Sequence, residues 1–125
     1  TLNGGAVVGA LVGAPTANAL YRDNVTKCWG TVSYVSGVVT VADSFNVASA
    51  AVTGGRLRVT FSTAMNTTTY GATATYMNGT GVKVPVIAGR DTTYIEFNVF
   101  SALGGAADDL TATTGTFSFQ VNARQ

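Results

Sequence analysis

Residues 27–65 read KCWGTVSYVSGVVTVADSFNVASAAVTGGRLRVTFSTAM and decide the fold, because strand-like segments follow one another through short turns containing glycine. The clearest lies at 56–62, where Leu57, Val59 and Phe61 alternate with Arg56, Arg58 and Thr60. A period of two sends the apolar set to one side of an extended chain and the polar set to the other, the pattern of a half-buried antiparallel strand. Earlier, Cys28, Gly30, Val32 and Tyr34 alternate with Lys27, Trp29, Thr31 and Ser33. Ser36 and Gly37 then turn the chain into 38–42, which predicts a hairpin. Asp43 and Ser44 can satisfy backbone groups at a bend, after which Phe45 and Val47 are expected to return to one face. Thr53, Gly54 and Gly55 supply the next turn.

Working outward, Tyr70, Ala72, Ala74 and Tyr76 share a face in 70–77, and the NGTG of 78–81 is the strongest turn signal in the chain. The arm at 82–88 carries Pro85, which has no N–H to give to a ladder and so places this arm at a sheet edge or a bulge. In 92–100, Thr93, Ile95, Phe97 and Val99 are expected inward, with Tyr94, Glu96 and Asn98 outward. Residues 101–114 form an unusually long connection, and 115–123 make the last strand, with Phe117, Phe119 and Val121 inward. About eight short strands at regular spacing predict an all-β, antiparallel β-sandwich that is jelly-roll-like. Its expected core is Val32, Val41, Phe45, Val47, Leu57, Val59, Phe61, Ile95, Phe97, Val99, Phe117, Phe119 and Val121. The sandwich occupies 26–125. Residues 1–25 read as an extended lead-in, because TLNGGAVVGALVGA at 1–14 is apolar but made of Gly, Ala and Val with weak alternation.

Composition narrows the function. Only 10% of the 125 residues are charged, against about a quarter in an ordinary soluble domain, so solubility rests on hydroxyls and amides. The seven basic residues are scattered, and nucleic-acid binding needs clustered cations to release counterions. The apolar run at the start is far shorter than the ~20 residues of a membrane span, so no membrane insertion is expected. The chain has no His, the commonest general base and metal ligand, and its single Cys28 can make no internal disulfide. No catalytic residue, metal site or cofactor is therefore expected. Asp108 and Asp109 are the only adjacent carboxylates, and neighbours on a loop do not face each other across a cleft as a glycosidase pair must.

The segments NALYRDN (18–24), KCWG (27–30), DSFNVAS (43–49) and VTFSTAM (59–65) resemble, in order and spacing, a β-sandwich module found at the C-terminal ends of bacteriophage tail fibres and tailspikes. The likeness covers roughly 18–70, is loose over 71–100, and returns at FSFQV (117–121); Cys28 stands where that module has Ala. The resemblance implies a homotrimeric virion protein at the distal end of a tail fibre or tailspike. It would bind host cell-surface polysaccharide or lipopolysaccharide, cap the trimer, or both, and the small residues of the lead-in would close the end of a trimeric stalk. The alternative is a purely structural trimerisation domain on a depolymerase whose enzymatic domain lies upstream.

A sugar site needs an exposed ring under a sugar face and amides, hydroxyls or charged groups reaching its hydroxyls. The candidates are Tyr34 beside the 36–37 turn, Tyr76 next to Asn78, outward Tyr94, and Asp108 with Asp109 on the long connection. Trp29 is expected to pack against Tyr21 of the lead-in or at the trimer axis, and Arg56 and Arg58 to make solvated or inter-chain ion pairs. If successive strands alternate in direction, the loops at 35–37, 51–55, 78–81 and 101–114 lie far from the N-terminus, where a receptor would be met.

Overall fold

The computed structural model describes residues 26–78, 83–101 and 105–123, without the side chain of Asn78; the lead-in at 1–25 and most of the 78–81 turn lie outside them. The described residues form β1 (Thr26–Val35), β2 (Val38–Phe45), β3 (Val47–Thr53), β4 (Arg56–Phe61), β5 (Gly71–Asn78), β6 (Lys83–Arg90), β7 (Tyr94–Ser101) and β8 (Thr114–Asn122). They pair antiparallel in two four-stranded sheets, β2-β1-β8-β5 and β3-β4-β7-β6. The inward faces of the two sheets meet in a sandwich-like core. The ring of Phe97, from the second sheet, lies 5.4 Å from that of Phe117 and 5.6 Å from that of Phe119, both from the first. Val32, Leu57, Val59, Ile95, Val99 and Val121 are fully buried around them. The Phe97–Phe117 pair is edge-on and the Phe97–Phe119 pair tilted, and such ring contacts add to the area term that dominates burial of large apolar side chains.

The hairpins follow from local chemistry. Ser36 and Gly37 (φ 45° and 85°) join β1 to β2, and Gly54 and Gly55 (φ 58° and 78°) join β3 to β4. Two-residue loops with both φ values positive match the right-handed twist of the flanking strands. Pro85 lies on β6, an edge strand with a register shift between Ile87 and Gly89, where a missing N–H costs least.

Between β2 and β3 the expectation needs correction. The bend is not at Asp43 and Ser44, which belong to β2, but at Asn46, whose φ of 61° passes the chain from the first sheet to the second. Its side chain fixes the corner: Nδ2 donates to the carbonyls of Lys27 (3.0 Å) and Thr63 (3.1 Å), while Oδ1 accepts from the Thr63 amide at 2.7 Å. A second correction follows from the ladder. Val41 pairs with Val32 but Asp43 pairs with Thr31, so Ala42 is an extra residue in β2. One inserted residue exchanges the two faces for everything beyond it. Phe45, expected in the core, is consequently turned outward and 54% exposed, whereas Val41, on the near side of the bulge, packs against the core as expected. Thr93, also expected inward, lies before β7 and is exposed in a turn held by the Asp91 carboxylate.

The two ends differ. β1 begins beside Asn122 of β8, and this end carries Asn46 and the 62–70 segment, whose Met65 and Tyr70 are buried. The Tyr70 hydroxyl donates to the carbonyls of Asp91 (3.0 Å) and Tyr94 (2.8 Å). At the opposite end, fully buried Leu110 ties the turns together, its amide donating to the Gly55 carbonyl (3.2 Å) and its carbonyl accepting from the Gly37 amide (2.9 Å). The turns at 36–37 and 54–55 and the 105–113 segment therefore cluster at the end away from Thr26, as the alternation of strand direction predicts.

Candidate functional site

Two concave surfaces on the described residues have the chemistry to hold a ligand. The first, about 520 Å³, lies at the far end and is formed by Gly54, Gly55, Arg56, Asn98, Ala107, Asp108, Asp109 and Thr111. Asp108 is half-buried, paired with Lys83 and accepting from the Ser101 hydroxyl at 3.3 Å. Asp109 is exposed and closes a turn, accepting from the Thr111 hydroxyl (2.6 Å) and amide (3.0 Å). These two bonds, the hydroxyl's first, hold its carboxyl below the usual range and keep it ionised. The far-end hollow thus offers one carboxylate compensated by Lys83, one organised by its own turn, the amide of Asn98 and the half-exposed guanidinium of Arg56.

The sequence candidates do not come together as one site. Asp108 and Asp109 share the far-end hollow. Tyr34, expected beside the hairpin turn and open to a ligand, has no exposed surface. It shares the inward parity of Val32, and its ring packs edge-on against Phe117 at 6.5 Å. Its hydroxyl has no hydrogen-bond partner among the described residues, and burial first, then the neighbouring Tyr76, pushes its pKa up. Tyr76 is half-buried, its hydroxyl donating at 3.4 Å to the Thr114 carbonyl. A Cβ at Gly115 would collide with both phenol oxygens, so the two tyrosines close the core over a glycine. Asn78 ends β5, level with Thr116 of β8. Tyr94 is on the outer face of the second sheet, covered by the Arg58 guanidinium 4.1 Å from its ring centroid.

That outer face is internally paired. Arg58 donates through Nε (2.9 Å) and Nη2 (2.7 Å) to one oxygen of Glu96, and Arg56 approaches the other at 3.6 Å. Glu96, expected outward, does face outward, yet with its residue only 8% exposed it is covered by these two side chains. The ion pairs of Arg56 and Arg58, expected to be solvated or between chains, are made within the chain on a covered carboxylate.

The second concavity is a groove of about 400 Å³ across the outer face of the first sheet, lined by Trp29, Gly30, Thr31, Thr73, Thr75, Ser118, Phe119 and Gln120. Trp29, expected to pack against Tyr21 of the lead-in or at a trimer axis, both outside the described residues, is 40% exposed, and its register partner is the outward Phe45. The sequence held a signal for this pair. Strict alternation through Val41, Asp43 and Phe45 would have driven the Asp43 carboxylate into an apolar core without a partner, a cost that the bulge at Ala42 avoids.

No family model, curated protein or solved structure matches this chain. Among the described residues no helix is long and apolar enough to cross a membrane, and no three His, Cys, Asp or Glu side chains gather as a metal site. Cys28 is fully buried, its thiol a weak donor to the Asn46 carbonyl at 3.7 Å. Burial pushes its pKa up to about 12, so it stays a protonated thiol at neutral pH.

Proposed function

We propose that this domain is the C-terminal receptor-binding and trimer-capping tip of a bacteriophage tail fibre or tailspike, a jelly-roll-like sandwich that works as a homotrimer at the distal end of the virion and recognises host cell-surface polysaccharide or lipopolysaccharide. The observation that carries this reading is the far end. Two hairpin turns and the 105–113 segment are tied together there by Leu110 around a polar hollow, on the side away from the strand end where the chain arrives. A module fed from a stalk meets its target with that end, and loops held on a rigid sandwich are where binding groups concentrate. The resemblance of 18–70 to phage tail-tip modules supplies the biological setting. Three copies around one axis would multiply a weak sugar affinity by effective concentration.

The test has two arms. Light scattering on the 125-residue chain should give trimers, and the purified chain should compete with phage adsorption on at least one strain of a bacterial panel, with extracted lipopolysaccharide or capsule relieving the competition. Trimers that adsorb to no strain would count against receptor binding. A second reading, a purely structural trimerisation cap on a depolymerase, draws support from exposed apolar residues towards the far end: Val35 and Val38 as register partners, with Met77, Val84 and Val86. On that reading, substitutions at Asn98 or Asp109 leave adsorption unchanged while removal of the domain prevents assembly.

A further inference from the structure

The outer face of the first sheet is a lattice of side chains set by the ladder registers. One row crosses all four strands as Phe45, Trp29, Gln120 and Thr73, and the next as Asp43, Thr31, Ser118 and Thr75. At ~4.8 Å per strand each row spans about 14 Å, and two residues of rise separate the rows by about 7 Å. The third row closes the lattice on itself, since the Ser33 and Thr116 hydroxyls bond each other at 2.9 Å. In the first two rows the hydroxyls of Thr31, Thr73, Thr75 and Ser118 and the amide of Gln120 make no side-chain hydrogen bond among the described residues. The face therefore combines an exposed indole and phenyl ring with unengaged donors and acceptors, and the groove lining has no charged side chain.

We infer that this groove binds a neutral oligosaccharide, a pyranose ring stacking on Trp29 beside Phe45 while Gln120, Thr73 and the second-row hydroxyls bond its hydroxyl groups. Each lining hydroxyl donates and accepts, as sugar hydroxyls do, so the two lattices are complementary. An apolar partner would bury those hydroxyls unbonded, which costs more than the rings recover. An anionic sugar would find no cation in the lining and would meet the Asp43 carboxylate at the end of the second row. The cleft volume falls within the roughly 300–1,000 Å³ of small-molecule sites. This inference deepens the receptor reading and rests on it for the source of the sugar.

Trp29 is the only tryptophan in the chain, so its emission reports on the groove alone. The 125-residue chain would be titrated with neutral oligosaccharides from dextran, galactan and mannan, and with acidic oligosaccharides from polygalacturonate. A saturable change in emission with at least one neutral probe is expected. Gln120→Ala and Thr73→Ala should each weaken it roughly 5-fold, about one hydrogen bond, with emission of the free protein unchanged. Binding by calorimetry should be lost in Trp29→Ala and retained in Trp29→Phe. The inference is overturned if only acidic probes bind, if no neutral probe changes the emission, or if Trp29→Ala binds as the parent does. Neutral sugars that bind through Trp29 without any adsorption to bacteria would leave the groove standing and remove the tail-tip reading. Adsorption unaffected by Trp29→Ala, with no neutral probe bound, would remove the groove and leave the tail-tip reading standing.

Discussion

The two outer faces of this sandwich are built from the same kind of strand and handle their polar groups in opposite ways. On the second sheet, Arg56, Arg58, Glu96 and Tyr94 satisfy one another through an ion-pair cluster and a cation–π contact, leaving little for a partner. On the first sheet, the exposed Trp29 and Phe45 stand beside hydroxyls and an amide whose side chains make no hydrogen bond among the described residues. A sheet face that completes its own hydrogen bonds is a surface, whereas one that leaves them open beside exposed rings is a candidate site. Inward, the contrast reverses. The first sheet keeps its titratable Cys28 and Tyr34 in the core, while the charged groups of the second sheet point out.

That reversal gives the largest expected effect. The Cys28 pKa rises from 9.0 to about 12 and that of Tyr70 from 10.0 to about 12, burial leading in both, and Tyr34 moves up as well. Each folded group holds its proton more tightly than the unfolded chain does. For Cys28 and Tyr70 this stabilisation is complete below the unfolded values of 9.0 and 10.0, falls as pH rises above them, and is gone near pH 12, while that of Tyr34 persists to higher pH. Denaturant midpoints measured from pH 8 upward should decline throughout this window, and Cys28→Ala, the residue typical of the phage module, should flatten the lower part of the decline. At the acid end the sign is opposite. Asp91 and Asp109 are held below their usual 3.8 by bonds from threonine hydroxyls and amides, so what they contribute is present above 3.8 and disappears as pH falls through their lowered values.

Next comes the layer the two faces share. Phe97 touches rings of the opposite sheet, so Phe97→Ala should cost about 3–5 kcal/mol in urea unfolding and loosen both faces together. A smaller effect separates them. Glu96→Gln should lower Tm by a few degrees and reduce the salt dependence of stability, because it removes the two ion pairs of the second face while Lys83–Asp108 remains. Removing hydroxyls from the first face, as in Thr75→Ala, should leave both quantities alone. The smallest effect is Phe45→Ala, expected within about 0.5 kcal/mol of the parent because the ring is outside the core. A loss like that of Phe97→Ala would mean that the Ala42 bulge does not form.

Most strands, both two-residue turns and the clustering of loops at one end were legible because alternation and positive-φ residues are local signals. The core at Leu57, Val59, Phe61, Ile95, Phe97 and Val99 followed from the same alternation. What alternation could not show was the register shift at Ala42, which depends on how β2 meets β1 and which moved Phe45 outside. The bend at Asn46 was missed for a related reason: its side chain is anchored by Lys27 and Thr63, distant in sequence. Tyr34 could have been placed inside, since it shares the parity of Val32. Phe45 was read as core and Trp29 as packing on the lead-in or a trimer axis, and only the strand pairing shows the two rings side by side facing out.

The most direct test of the proposed recognition face is collisional quenching of the single tryptophan by acrylamide in the 125-residue chain over a range of protein concentrations, before any ligand is added. Trp29, 40% exposed, should emit at long wavelength on an uncovered face and be quenched efficiently at every protein concentration. Blue-shifted emission that resists quenching, and becomes accessible only when the assembly is diluted apart, would show instead that the face is buried between copies and is no site for a sugar.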